Sequence, residues 1–162
     1  MEKLLTMEPE NITRTITDFL NLVKIPIEYS QLSTHTFLPG ILIHQGRLII
    51  DLDKLKYSGD LLHEAGHIAV TPSEKREHLS GDVHKCGHGP AEEMAAIAWS
   101  WAACTKIGLA AEVLFHPDGY QGGSKNYIES FSSRGGFGYP LLAYWQMCQP
   151  DSYPTMEKWL RD

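Results

Sequence analysis

The sequence predicts an α+β domain, a small antiparallel hairpin packed on helices, and three observations predict it. Two runs rich in β-branched residues, Ile41-Leu42-Ile43-His44 and Arg47-Leu48-Ile49-Ile50-Asp51, flank the short turn Gln45-Gly46 and read as a hairpin. A helical segment soon afterwards carries His63-Glu64-Ala65-Gly66-His67, an H-E-x-x-H pentad. Amphipathic helical periodicity brackets both, in residues 9–24 and 90–107.

Each element has its own signals. In residues 9–24 the apolar positions Ile12, Ile16, Phe19, Leu20 and Val23 recur at helical spacing and Pro26 stops them, so this helix should pack on the sheet. The pentad helix has N-cap candidates in Ser58-Gly59-Asp60 and an apolar surface from Leu61, Leu62, Ala65, Ile68 and Ala69, and it ends before Pro72. Residues 72–89 are polar and Gly-rich and predict a long loop or flap that stays mobile until a substrate or partner arrives. Pro90 suits the first turn of a helix that closes at Gly108. Shorter helical pieces are expected near 109–114, 124–133, 139–147 and 155–161.

Composition bounds the class. At 162 residues and 43% hydrophobic, the chain suits one globular domain, 1–162, able to bury about 70% of its unfolded surface. Cys86, Cys104 and Cys148 are odd in number, far apart and without a CxxC, which argues against a disulfide framework and for a reducing compartment. No stretch approaches 18 apolar residues and Met1–Thr6 leads into no signal-type apolar region, so a cytoplasmic protein without a membrane association is expected. A formal charge of −6 without a Lys/Arg cluster argues against direct nucleic-acid binding.

The pentad carries the chemistry. Histidines four apart sit one turn above each other on a helix, about 5–6 Å between Cβ atoms, so both imidazoles can converge on one ion, for which zinc is expected. Glu64 lies about 100° round the helix from His63, placed to act as a general base rather than a ligand. With 8 His and 12 Glu in the chain, random order gives roughly 0.03 occurrences of such a pentad, so chance is a poor explanation.

Two histidines leave a catalytic zinc one protein ligand short. The extended form H-E-x-x-H-x-x-G-x-x-H is absent, since positions 70 and 73 are Val70 and Ser73. A glutamate from the following helix is the alternative, and Glu92 is preferred because it shares a face with Ala95, Ala96 and Trp99, small enough at two positions for close packing. Glu93 is the competing choice, pointing about 100° away toward Ile97 and Ser100.

A hairpin, a helix with H-E-x-G-H, a variable loop and a second helix opening Glu92-Glu93-Met94-Ala95 together resemble the ImmA/IrrE group of small bacterial zinc metallopeptidase domains, within the wider gluzincin class. The resemblance covers residues 9–107 and is specific at His63, Glu64, Gly66, His67 and the 92–95 run. It implies a zincin-like fold, with His63, His67 and Glu92 as zinc ligands and Glu64 as general base. The group usually places Asn or Asp four residues after the ligand glutamate, whereas this chain has Ala96, so Asp60 or Asp82 would have to steady a ligand histidine instead. The helix-turn-helix that often accompanies this group is not recognised here, so a regulatory role would work through a partner protein.

The expected function is therefore a zinc-dependent metallohydrolase, an endopeptidase acting on a protein or peptide, with an exposed hairpin edge able to align an extended chain. The alternatives are a noncatalytic zinc-binding domain that binds a regulatory partner, and a non-peptide amide hydrolase. An oxyanion donor is also required, and His84, His88, His116, Tyr120, Tyr127 and Arg134 compete for it. His84, Cys86 and His88 are read as loop polarity or substrate contacts before a second metal site, His35 and His44 as structural, and Trp99, Trp101, Tyr144 and Trp145 as packing residues.

Overall fold

Helix α1 spans Pro9–Leu22 and buries Ile12, Ile16, Phe19 and Leu20, the stripe that its sequence spacing predicts. In the computed structural model, which describes residues 8–33, 35–133 and 135–162, α1 leads into a short strand, β1 (Ile27–Tyr29). Strands β2 (Ile41–His44) and β3 (Arg47–Ile50) form the predicted hairpin. Gln45 and Gly46 both have positive φ, 51° and 74°, the combination a tight two-residue turn needs to match the strand twist.

The sheet is mixed rather than purely antiparallel, which corrects the sequence expectation. Its order is β1-β3-β2, with β2 antiparallel to β3 and β1 parallel to it, Ile27 opposite Leu48. Three residues are too few to display an alternation, and β1 owes its existence to a long-range pairing with β3.

Helix α2 (Asp60–Ala69) carries the pentad and packs on β2, β3 and α1. Its Leu61, Leu62 and Ile68 are fully buried, each contributing up to about 1.5–3 kcal/mol, an upper bound because the unfolded chain is itself partly collapsed. Helix α3 (Pro90–Lys106) lies along α2, and every residue from Ala95 to Cys104 is buried. Short helices α4 (Ala111–Leu114), α5 (Ser124–Ser133) and α6 (Tyr139–Tyr144) complete the α layer.

Residues 72–89 are not a free flap. Two 3-10 turns, Ser73–His78 and Val83–Cys86, shape the segment, and Leu79 enters the core. Gly46 N–H donates to the Leu79 carbonyl and Gly81 N–H to the Ile43 carbonyl, each at 2.9 Å, so the segment is fastened to the hairpin. Its polar composition reflects an exposed outer side, while a few anchors fix the inner side.

The piece near 155–161 is likewise not helical. It is an irregular strap: Met156 bridges to Cys148, Trp159 packs edge-on against Phe19 and Trp99, and Trp99 Nε1–H donates to the Trp159 carbonyl at 2.9 Å. Arg161 then meets the C-terminal end of α2, its N–H on the Ala69 carbonyl and its guanidinium on the Val70 carbonyl. Carbonyls left without partners in the last turn of a helix are satisfied in this way.

Trp99 and Trp101 are core residues as read, whereas Tyr144 is exposed; His35 and His44 are exposed and lie outside the His63/His67/Glu93 group. The three cysteines are free thiols. Among the described residues no helix is long and apolar enough to cross a membrane.

Candidate metal centre

Gly66 explains how a residue from α3 reaches the histidines of α2. A Cβ at Gly66 would lie 2.6 Å from the Ala96 carbonyl oxygen, so the two helices touch backbone to backbone at Gly66 and Ala96. That contact requires glycine at position 66, because any side chain there would run into the Ala96 backbone.

One turn before Ala96 the chain offers Glu92 and Glu93, and the structure brings Glu93, not Glu92, to the histidines. His63 Nε2 lies 3.0 Å from Glu93 Oε1, and His67 Nε2 lies 2.9 Å from Glu93 Oε2. Glu92 instead turns back and accepts from the Gly89 N–H at 3.3 Å, the glutamate half of a capping box. The preference for Glu92 is thus overturned by two causes. Glu92 is committed to an otherwise unsatisfied helix-start donor. The face argument also fails, because from Ala95 to Cys104 the helix is buried all round and has no single packing face. The pattern Gly89-Pro90-Ala91-Glu92, a cap position followed three later by glutamate, was the available signal.

The three side chains fit a small cation. Their ligand atoms lie within 4.8 Å of one another, and among the described residues this is the one His/Cys/Asp/Glu group so arranged. His67 is 2% exposed, His63 13% and Glu93 34%, so the cluster is closed on the α2 side and open past Glu93. Burial works against charge on Glu93, yet the hydrogen bonds from His63 and His67 hold its carboxyl far below the usual range. Burial likewise works against charge on His63, and the Glu93 hydrogen bond together with the nearby Glu64 carries its pKa above the ordinary value. Glu64 is raised by burial, against the pull of His63 and His67.

The far nitrogens of both imidazoles have partners that the sequence reading did not assign to them. His63 Nδ1 is 3.3 Å from the Tyr120 hydroxyl. Tyr120 adopts φ 56° and its neighbour Gln121 φ 54°, an unfavourable left-handed pair that the surrounding rings over-determine: Phe115 and Tyr127 each pack 5.1 Å from the Tyr120 ring. His67 Nδ1 is 2.9 Å from His88 Nδ1. Burial, then the nearness of His67, lowers the His88 pKa to about 4.

Neither Asp60 nor Asp82 bonds to His63 or His67. Asp60 Oδ1 accepts from the buried His116 ring at 2.7 Å, with Tyr57 stacked on that ring at 3.9 Å, and burial raises the Asp60 pKa against the His116 hydrogen bond. Gly119 fits there because a Cβ would lie 2.8 Å from the His116 ring. Asp82 caps the 83–86 turn through the His84 N–H.

The oxyanion candidates thin out accordingly. His88 and Tyr120 are engaged behind His67 and His63, His116 is bound to Asp60, and Tyr127 stacks on Phe115. His84 bonds to the His88 carbonyl and Cys86 to the Ser80 carbonyl, so the H-x-C-x-H spacing does not gather into a second cluster. Arg134 lies outside the described residues. Comparison with protein-family profiles, with curated proteins and with solved structures found no match to this chain.

Proposed function

We propose that the chain is a zinc-dependent metallohydrolase of the endopeptidase type, zincin-like in fold and allied to the ImmA/IrrE group, with His63, His67 and Glu93 as the protein ligands. The observation that carries this reading is that two imidazole Nε2 atoms meet the two oxygens of one carboxylate at 3.0 and 2.9 Å beside the pentad's own glutamate. Zinc bound there supplies Lewis acidity, polarising a carbonyl and easing ionisation of a water. Glu64 takes the proton of the attacking water and returns it to the departing amine nitrogen, and a carboxyl whose pKa burial has raised is suited to holding that proton in between.

A second reading, a noncatalytic zinc domain that binds a partner, has an observation in its favour. On the edge strand β2, the Ile43 carbonyl already accepts from Gly81 and the Ile41 N–H already donates to Leu38, so the strand offers less free backbone for an extended peptide than the sequence suggests.

One experiment tests both. Purified protein should carry about one zinc per chain by elemental analysis, as one three-ligand site requires. Glu64→Gln keeps size and polarity, so zinc content and folding should survive while hydrolysis of a peptide library falls about 10²–10⁴-fold. No zinc uptake refutes both readings. Zinc uptake with no cleavage by the wild type leaves the partner-binding domain.

A further inference from the structure

The segment between α2 and α3 returns to α2 where His88 is buried against His67 and Thr71. Three contacts form a ring there. His67 Nδ1 meets His88 Nδ1 at 2.9 Å, His88 Nε2 meets Thr71 Oγ1 at 2.9 Å, and Thr71 Oγ1 meets the His67 carbonyl at 2.7 Å.

With His88 neutral, the direction of every hydrogen in this ring follows from its last member. A carbonyl only accepts, so the single hydroxyl hydrogen of Thr71 is spent on the His67 carbonyl. Thr71 Oγ1 must then accept from His88, which places a proton on His88 Nε2. Two imidazole nitrogens 2.9 Å apart cannot both carry hydrogens, and neutral His88 with Nε2–H offers a lone pair at Nδ1. The proton between the rings therefore belongs to His67 Nδ1. The other nitrogen of His67, Nε2, faces Glu93 at 2.9 Å and is left to bind a cation, whether a proton or a metal ion.

We propose that His88 and Thr71 are positioning residues which hold His67 in its Nδ1–H form and so reserve Nε2 for the ion. The opposite polarity would set the Thr71 oxygen against the His67 carbonyl at 2.7 Å with no hydrogen between them. This inference rests on the metal reading above only for its purpose; the tautomers themselves are fixed by the ring with or without a metal. It also assigns a task to the connecting segment: Leu79 and Gly81 fasten it to the hairpin, and His88 ends it at the ligand.

The test uses the full chain labelled with ¹⁵N-histidine and long-range ¹H–¹⁵N NMR, metal-free and zinc-loaded, with zinc affinity measured by chelator competition. Wild type should show neutral His88 protonated at Nε2, and His67 protonated at Nδ1 in both forms. Thr71→Val, nearly isosteric, removes the hydroxyl that sets the direction, so His88 and metal-free His67 should each become tautomer mixtures. His88→Leu should weaken zinc binding about 10–100-fold, as loss of an outer partner does, and His88→Asn, with Oδ1 as acceptor, should recover most of it. A His88 protonated at Nδ1 in the wild type overturns the proposal, as do tautomers unchanged in Thr71→Val. Unaltered zinc affinity in a folded His88→Leu protein overturns the positioning role. Should the wild type take up no zinc, the metal reading fails, while the metal-free tautomers still decide the ring.

Discussion

Replacing Gly66 by alanine adds one methyl group at the place where α2 and α3 touch. The new Cβ would stand 2.6 Å from the Ala96 carbonyl oxygen and 3.2 Å from the Ala96 carbonyl carbon and Cα. Ordinary contact begins at 3.4 Å, so the oxygen is short by 3.4 − 2.6, about 0.8 Å. The obstacle is backbone within a buried helix and has no side chain to swing aside, so relief comes from α3 moving away from α2. Overpacking of this kind costs about 1–3 kcal/mol, while alanine in a helix interior regains about 1 kcal/mol relative to glycine, leaving a net loss of roughly 0–2 kcal/mol. The proposed metal centre is the more sensitive reporter. Glu93 lies one turn from Ala96 on the same helix, and a ligand set tolerates only about 0.2–0.5 Å of displacement. The expected outcome is a folded protein whose zinc affinity, by competition with a chromogenic chelator, falls at least 10–100-fold, the range seen even for outer partners. Gly89→Ala is the control, since a Cβ there meets nothing within 4 Å. If Gly66→Ala melts and binds zinc as the wild type does, the helix contact does not set the position of Glu93 and the argument fails.

Other expectations follow from single contacts. Glu93→Ala should cost zinc binding more than the ~100-fold of an outer-partner loss, whereas Glu92→Ala should leave affinity near wild type and lower stability by about 1 kcal/mol through the lost cap; equal effects in the same titration would show the register to be wrong. Asp51 accepts from the Leu32 N–H and the Asp53 N–H, and these bonds, Leu32 foremost, hold its pKa below the ordinary value against the opposing effect of burial. A depressed folded-state pKa gives stability that is present above the unfolded value near 4 and is lost as pH falls through the folded one. Urea midpoints for wild type and Asp51→Asn should therefore differ most above about pH 5 and converge in acid; parallel curves would contradict this. Arg161→Ala removes a bond to the Val70 carbonyl and a guanidinium stacked 3.9 Å over Trp145, so unfolding should become easier by about 1–2 kcal/mol. No change in urea midpoint would mean that the strap does not secure the end of α2.

Local pattern made α1, the hairpin, α2 and α3 legible, because each repeats its signal over enough residues for periodicity, turn chemistry and stop residues to agree. The histidine pair was legible for the same reason: a spacing of four maps onto one helix face, so bringing His63 and His67 together needed no tertiary information. What the chain settles at a distance could not be read this way. β1 exists through pairing with β3. The 72–89 segment looks like a loop by composition, yet Leu79, Gly81 and His88 tie it down, and single anchors leave no periodic trace. The third member of the metal group depended on where two helices touch. Glu92 and Glu93 are adjacent in sequence and equally acidic, and only the contact of Gly66 with Ala96, together with the demand of the Gly89 N–H for an acceptor, sends one to the cap and the other to the histidines. The partners behind those histidines, His88 and Tyr120, lie 21 and 57 positions from them, and their roles arise from burial, where an unmatched imidazole nitrogen is costly enough to select whichever polar group the fold delivers.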